Sequence, residues 1–309
     1  MEPLWHMPQS GEACTSASSL MLEGTDFNLM YFPLKHLGYK AVLSVTGELY
    51  AVMACPRTLS VVFGVSSKLD FEQIRELWSG VVAAAHEHGY SQLSLDLVPS
   101  RNGLVISMNA VGSASDKSCK GRPKAAVKDL ICVSGSLGAA YLGLKLLELQ
   151  REKFEKGSTD QEALEHNRML VAAYLKPELS PSVVAQLEDD GIFPSMGYFV
   201  TRGLSDAVLR LSRDSGLGAK IYAQKIPFEG GSFNLGKDLN VDPVSAAMNG
   251  GDDYKVLYTI PIGQYDKFRK DFQTFDIIGH LAQPDAGTVL VTPEGVELPL
   301  SAQGWNQNR

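Results

Sequence analysis

The chain has 309 residues, of which 44% are hydrophobic and 20% are charged, and its formal net charge is −7. The sequence contains no apolar run long enough to cross a bilayer, and without a sustained Lys/Arg cluster the acidic balance disfavours nucleic acid as a partner. The four cysteines have neither zinc-type spacing nor the density of a disulfide scaffold. We therefore expect a cytoplasmic protein with reduced thiols, large enough for two hydrophobic cores.

Strands and helices alternate through the first third of the chain. Four segments rich in β-branched or apolar residues predict strands: 40–46, 58–65, 92–98 and 103–111. The last two are joined by a turn that contains Asn102-Gly103, which predicts a hairpin. Between Phe71 and His88 the apolar residues recur at steps of three and four, which predicts an amphipathic helix. Its histidines, His86 and His88, are expected on the surface.

A polar, basic segment at residues 112–128 lacks the apolar residues of a core, and it predicts a domain boundary. The predicted domains are 1–113 and 114–309. In the second domain, residues 130–133 predict a buried strand and the charged run 152–165 predicts a loop. Three helices are predicted beside them: 137–149, 177–190 and 204–214.

The turn Gly250-Gly251-Asp252-Asp253-Tyr254 leads directly into an apolar strand. Glycines allow a backbone to approach a ligand, and adjacent carboxylates supply oxygens for a cation, a hydroxyl group or an amine. The same residues are also ordinary turn formers, so the turn has both a ligand-binding and a purely structural interpretation.

The common phosphate-binding signatures do not occur in the sequence. Ser215–Lys220 is Gly-rich, but it lacks P-loop spacing and follows a predicted helix, so it is interpreted as a helix cap. Protein-kinase motifs and the nucleophile elbow are also missing.

Five segments in a fixed order carry a family resemblance, and they lie at 34–41, 129–138, 203–206, 215–219 and 302–305. Together with the turn at Gly250–Tyr254, they resemble thiamine-monophosphate kinase, of the family that includes aminoimidazole ribonucleotide synthetase and selenophosphate synthetase. The resemblance covers nearly the whole chain from about Leu20.

The resemblance implies a two-domain α/β (α+β) fold of the aminoimidazole ribonucleotide synthetase type. Its amino-terminal sheet domain would pair in a homodimer, and a carboxy-terminal α/β domain would follow. The implied reaction phosphorylates thiamine monophosphate to thiamine diphosphate with ATP, and Asp clusters that hold Mg²⁺ bind the nucleotide phosphates.

The resemblance also implies site residues. Asp96 and Glu48 take the catalytic positions and share a metal with Asp26. The nucleotide positions are Gly135, Ser136, Gly138 and Arg202, and the substrate positions are Asp252, Asp253, Tyr254 and Trp305. Trp305 has two interpretations, since a terminal aromatic can pin the chain end or stack on the thiamine pyrimidine.

Two of these residues have lost the acid that the family pattern carries. Ser136 occupies a carboxylate position, and Arg202 occupies the position of a metal-facing acid. Arg202 is interpreted either as a direct phosphate contact or as a partner of Asp206 one helical turn away. Weak or lost activity is therefore expected, and the alternative is a catalytically silent relative that binds a ligand or regulates a partner.

Overall fold

The computed structural model describes residues 13–271 and 274–304. Up to residue 121 the elements are β1 (Ala13–Leu22), α1 (Leu34–Ala51), β2 (Cys55–Val65), α2 (Phe71–Glu87), β3 (Gln92–Pro99), β4 (Val105–Ala114) and α3 (Asp116–Gly121). After it come β5 (Leu130–Val133), α4 (Ala139–Glu155), α5 (Gln161–His166), α6 (Arg168–Leu175), α7 (Val183–Asp189), β6 (Met196–Val200), α8 (Leu204–Ser215), β7 (Gly218–Tyr222), α9 (Ser232–Leu239), α10 (Pro243–Asn249), β8 (Lys255–Ile260), α11 (Tyr265–Asp271), β9 (Asp276–Ala282), β10 (Thr288–Val291) and β11 (Glu297–Pro299).

The chain divides into two compact units. Of the described residues, the first contains those up to 120 together with Leu179–Glu188, and the second contains 121–178 and those from Asp189 onward. The internal segment is bonded within the first unit, because the carboxylate of Glu188 accepts hydrogen bonds from the hydroxyl groups of Ser115 and Ser118. The boundary predicted at 113/114 stays a prediction.

The first unit is built on a four-stranded sheet in the order β1-β4-β2-β3. β2 pairs with β3 in parallel, and the other pairs are antiparallel. Because residues in register point to the same side of a sheet, one row across all four strands consists of Leu20, Ser107, Val62 and Asp96. We call this side the outer face.

Helices α1 and α2 cover the opposite, inner face. Leu49 of α1 packs against Gly112 of β4, and Trp78 of α2 meets Phe63 of β2 edge to face with ring centroids 6.4 Å apart. Asp70 begins α2 with a capping box, in which its carboxylate accepts the N–H of Gln73 and the Gln73 side chain accepts the N–H of Asp70. The inner face thus holds the core of this unit.

The two helices cross at a pair of glycines. A Cβ atom at Gly38 would lie 2.1 Å from the carbonyl oxygen of Leu77, and one at Gly80 would lie 1.9 Å from that of Lys35. Only glycine permits this approach of one backbone to the other.

Three predictions for the first unit are wrong. Residues 40–46 belong to helix α1, which is buried on most of its circumference. A buried helix has no polar face, so its sequence lacks the helical periodicity that would distinguish it from a strand rich in β-branched residues. Residues 92–98 and 103–111 form strands but no hairpin, because β2 lies between them. His88 is only 4% exposed and lies past the last residue of α2, where the helical-face argument does not apply.

The second unit has a seven-stranded mixed sheet in the order β11-β10-β7-β9-β5-β8-β6. Its core contains apolar residues of β5, β7 and β8 packed with those of α8, and a second cluster joins α4, α6, α9 and α10. The predicted strand 130–133 and the predicted helices at 137–149 and 204–214 are confirmed, and α8 ends at Gly216 in the left-handed conformation.

Two further predictions for the second half are corrected. The predicted helix at 177–190 is restricted to Val183–Asp189, because Pro181 interrupts its start. The predicted loop at 152–165 contains the end of α4 and most of α5, whose carboxylate cap is Asp160. Among the described residues, no helix combines the length and the apolar composition that a membrane span requires.

Candidate functional site

The loop between β5 and α4 is fixed by two glycines with positive φ, Gly135 at 128° and Gly138 at 78°. A Cβ atom at Gly138 would lie 2.8 Å from the backbone nitrogen of Ala247 in α10, so the loop requires glycine there for both space and conformation. These are two of the predicted nucleotide positions, and the structure places them together at the start of α4.

Asp253 binds the start of α4 from inside the unit. Its side chain is buried, and both carboxylate oxygens accept the N–H of Gly138 at 2.9 Å. Burial raises the pKa of Asp253 to about 7, against the opposing effects of the Gly138 and Ala140 N–H groups. The carboxylate predicted to face a substrate therefore fixes the loop that holds Ser136.

The neighbours of Asp253 are held by the end of strand β6. Both Asp252 and Tyr254 have positive φ values, and their N–H groups donate to the carbonyl oxygens of Thr201 and Val200. The ring of Tyr254 is buried and meets Phe199 edge to face at 5.4 Å. Tyr254 thus contributes to the interior, whereas Asp252 is half-buried.

Trp305 lies outside the described residues, so the structure bears on neither interpretation of it.

A cavity of about 80 Å³ opens beside this loop, and its polar lining residues are Ser136, Lys176, Glu178, Glu229, Asp253 and Lys255. The hydroxyl group of Ser136 donates to Glu229 Oε2 at 3.2 Å. Burial lowers the pKa of Lys255. Sequence reasoning missed Lys255, although a lysine two residues after Asp253, at the start of an otherwise apolar strand, was a usable signal.

Arg202 lies between β6 and α8 and does not pair with Asp206. That acid lies 3.1 Å from Arg210 Nε, close enough for an ion pair although not aligned as a hydrogen bond. Arg202 is exposed and forms no ion pair within the described part of the chain. The interpretation of Arg202 as a partner of Asp206 is therefore wrong, and its interpretation as a phosphate contact stays a prediction.

The three acids predicted to share a metal lie apart in the first unit. Asp96 is exposed on the outer face of edge strand β3, and Asp26 follows the other edge strand, β1, where its carboxylate accepts the N–H of Leu22. Three strand spacings amount to about 14 Å. Glu48 belongs to α1, which covers the inner face. A single Mg²⁺ binds its ligands at about 2.1 Å, so these carboxylates do not share one ion within the unit.

No group of three or more His, Cys, Asp or Glu side chains that could hold a metal occurs within residues 13–271 and 274–304. The described residues therefore do not fit a multi-carboxylate Mg²⁺ site. The individual roles predicted for Asp96, Glu48 and Asp26 stay predictions.

The chain is similar in sequence to known enzymes, although no family model matches it. It is 22% identical to the thiamine-monophosphate kinase of Aquifex aeolicus over 251 residues, which are 81% of this chain and 77% of that protein. It is 21% identical to the same enzyme of Bacillus subtilis over 291 residues, 93% of this chain and 85% of that protein.

The fold is likewise that of known structures. Thiamine-monophosphate kinase from Stenotrophomonas maltophilia superposes with a TM-score of 0.77 at 21% identity, over 95% of this chain and 88% of that one. AaThiL complexed with AMPPCP and TMP gives a TM-score of 0.77 at 19% identity, over 94% of this chain and 87% of that one. The chain is thus similar in sequence to thiamine-monophosphate kinases, and its fold is the aminoimidazole ribonucleotide synthetase-like fold of their structures.

Proposed function

We propose that this protein binds thiamine monophosphate and ATP and transfers the γ-phosphoryl group slowly. A phosphate oxygen of thiamine monophosphate attacks the γ-phosphorus, the bond from that phosphorus to the bridging oxygen of ADP breaks, and thiamine diphosphate is formed. The main support is the likeness to thiamine-monophosphate kinases along 81–93% of the chain, together with a structural neighbour that holds AMPPCP and TMP.

Slow transfer follows from the placement of the acids. Phosphoryl transfer depends on neutralising the charge of the phosphates and on in-line positioning. The described carboxylates Asp96, Glu48 and Asp26 do not gather at one position. A turnover below the range of about 1–100 s⁻¹ that is typical of kinases is therefore expected.

A second candidate is a ligand-binding or partner-regulating protein without turnover. Arg202 favours it, because a guanidinium group at the position of a metal-facing acid can bind a phosphate directly and without a metal. Such a contact preserves binding even where catalysis is lost.

We expect Arg202→Ala to lower the kcat/KM for thiamine diphosphate formation about 10- to 100-fold, because it removes a charge-assisted contact to a phosphate. Product is measured by chromatography with MgATP and thiamine monophosphate. Arg213→Ala is the control, since Arg213 is exposed and pairs with Asp214. It should leave the rate unchanged.

The outcomes separate the two candidates. If the wild type binds thiamine monophosphate but forms no product, and Arg202→Ala no longer binds it, the protein is the silent relative. Product at an undiminished rate in Arg202→Ala contradicts the phosphate contact, and the absence of both binding and turnover contradicts both candidates.

We further propose that the protein is a homodimer that pairs through the outer face of the first unit. This face carries exposed apolar side chains on both edge strands, among them Leu20, Leu22 and Val98 at 57%, 38% and 41% exposure. Clustered exposed apolar residues mark association surfaces, and a two-fold dimer joins identical patches.

Light scattering should give twice the chain mass of 33.5 kDa for the wild type, and Leu20→Glu should shift the mass to 33.5 kDa. A charge buried in an apolar interface opposes association, whereas Leu20 is exposed enough for the single chain to tolerate the change. Val296→Glu is the control, at a similarly exposed position of the second unit. A dimer that survives Leu20→Glu would exclude this face.

A further inference from the structure

The ammonium group of Lys255 lies at the wall of the cavity with an incomplete set of partners. Nζ donates to the carbonyl oxygen of Glu178 at 3.3 Å and forms no ion pair with any described residue. An ammonium group has three N–H donors, so two remain available. Burial lowers the pKa of Lys255, although the charges of Asp253, Glu178 and Glu229 oppose the shift. An anionic ligand at Nζ would compensate the half-buried positive charge of Lys255.

The acids that line the cavity are engaged elsewhere or exposed to water. Asp253 is bound by the start of α4, Glu229 accepts the hydroxyl group of Ser136, and Glu178 is exposed. Lys176 adds a second positive charge to the lining. Among the described lining residues, Lys255 thus carries the positive charge that has no ion-pair partner, and it lies at the inner wall of the cavity.

We propose that this cavity binds the phosphate group of a small ligand, with Lys255 as its inner contact and Lys176 as a further donor. A volume of about 80 Å³ is well below the 300–1,000 Å³ of sites that enclose a whole small molecule, so it suits a single oxyanion. The side chains of Met169 and Ala172 line the same cavity and would cover an apolar remainder of the ligand. Such binding requires no phosphoryl transfer and can exist without turnover.

Calorimetric titration of the full chain with inorganic phosphate at low ionic strength tests this site. Lys255→Met should weaken phosphate binding about tenfold or more, because it removes a charge-assisted contact while it keeps the length of the side chain. Lys237→Gln, at an exposed lysine of α9, is the matched control and should bind as the wild type does. Glu229→Gln should bind phosphate several-fold more tightly, because it removes a like charge and keeps a hydrogen-bond acceptor for Ser136.

The proposal is overturned if the wild type does not bind phosphate, if Lys255→Met binds it unchanged, or if Lys237→Gln weakens binding equally. Circular dichroism checks that each variant is folded. Should Lys255→Met fail to fold, Glu229→Gln decides, since tighter binding supports the site and unchanged or weaker binding contradicts it.

A titration with phenyl phosphate distinguishes two possible ligands that share a phosphate group, a phosphate monoester and free inorganic phosphate. Tighter binding of phenyl phosphate than of inorganic phosphate identifies a phosphate monoester whose apolar part lies on Met169 and Ala172, whereas equal affinity identifies free phosphate. Binding of neither contradicts the proposal.

Discussion

Gly80→Ala is expected to destabilise the protein by about 3 kcal/mol or more. The added Cβ atom would lie 1.9 Å from the carbonyl oxygen of Lys35 and 3.0 Å from the backbone nitrogen of Tyr39. Both are backbone atoms of α1, so the clash is relieved only if the helices separate and the inner-face core loosens. The higher helix propensity of alanine returns only about 1 kcal/mol.

Urea unfolding of the two proteins measures this difference. Ser79→Ala is the matched control, because Ser79 is the exposed neighbour of Gly80 in α2, and its free energy of unfolding should stay within about 0.5 kcal/mol of the wild type. Equal stability of Gly80→Ala and Ser79→Ala would mean that the helices do not approach as closely as described.

As the pH rises from 5 to 8, the wild type is expected to lose free energy of unfolding relative to Asp253→Asn, on the order of 2–3 kcal/mol. Burial raises the pKa of Asp253 from 3.8 to about 7. The folded state therefore keeps the proton over a range in which the unfolded state has released it. That stabilisation is complete below pH 3.8 and is lost as the pH passes through about 7, whereas the amide side chain of the variant does not titrate.

The measurement is a set of urea unfolding curves at several pH values for both proteins. Asp238→Asn, at an exposed acid of α9, should keep the pH dependence of the wild type. Parallel profiles for the wild type and Asp253→Asn would contradict a raised pKa at Asp253. A constant difference in free energy of unfolding between the two proteins does not affect the test, because only the difference in slope with pH reflects the titration of Asp253.

The helix α1 shows where sequence patterns lose their information. Residues 40–46 contain Val42, Val45 and Thr46, which favour strands, but α1 is buried around most of its surface. Its helical state depends on the crossing with α2 at Gly38 and Gly80, a contact that periodicity does not reveal. The amphipathic helix α2 was predictable because one side of it faces water.

Pairing of strands was equally beyond local signals. Gly103 has a positive φ and the chain bends at residues 101–103, but no hairpin forms there. Which strand lies beside β3 is decided by long-range packing, and β2 takes the place that a hairpin would give to β4.

The turns of the candidate site could be predicted from the sequence, but the contacts of its charged side chains could not. The turn at Gly250–Tyr254 was found from its residue types, whereas the glycines of the β5–α4 loop came from the family resemblance. Both segments contain residues with positive φ, a conformation that restricts the choice of residue. The direction of Asp253, inward to Gly138, depends on how β8 meets α4 in three dimensions. Lys255 forms no ion pair with a described residue, and this too depends on three-dimensional packing that the sequence does not reveal.

The internal segment Leu179–Glu188 has a consequence for the order of events during synthesis. The first unit needs the carboxylate of Glu188 at Ser115 and Ser118, so the ribosome must add all of residues 121–188 before that unit can be completed. At about 5–20 residues per second, this takes on the order of several seconds. For that time the four-stranded sheet is present in the nascent chain with its last helix still missing, and an early pause in translation would lengthen this incomplete state.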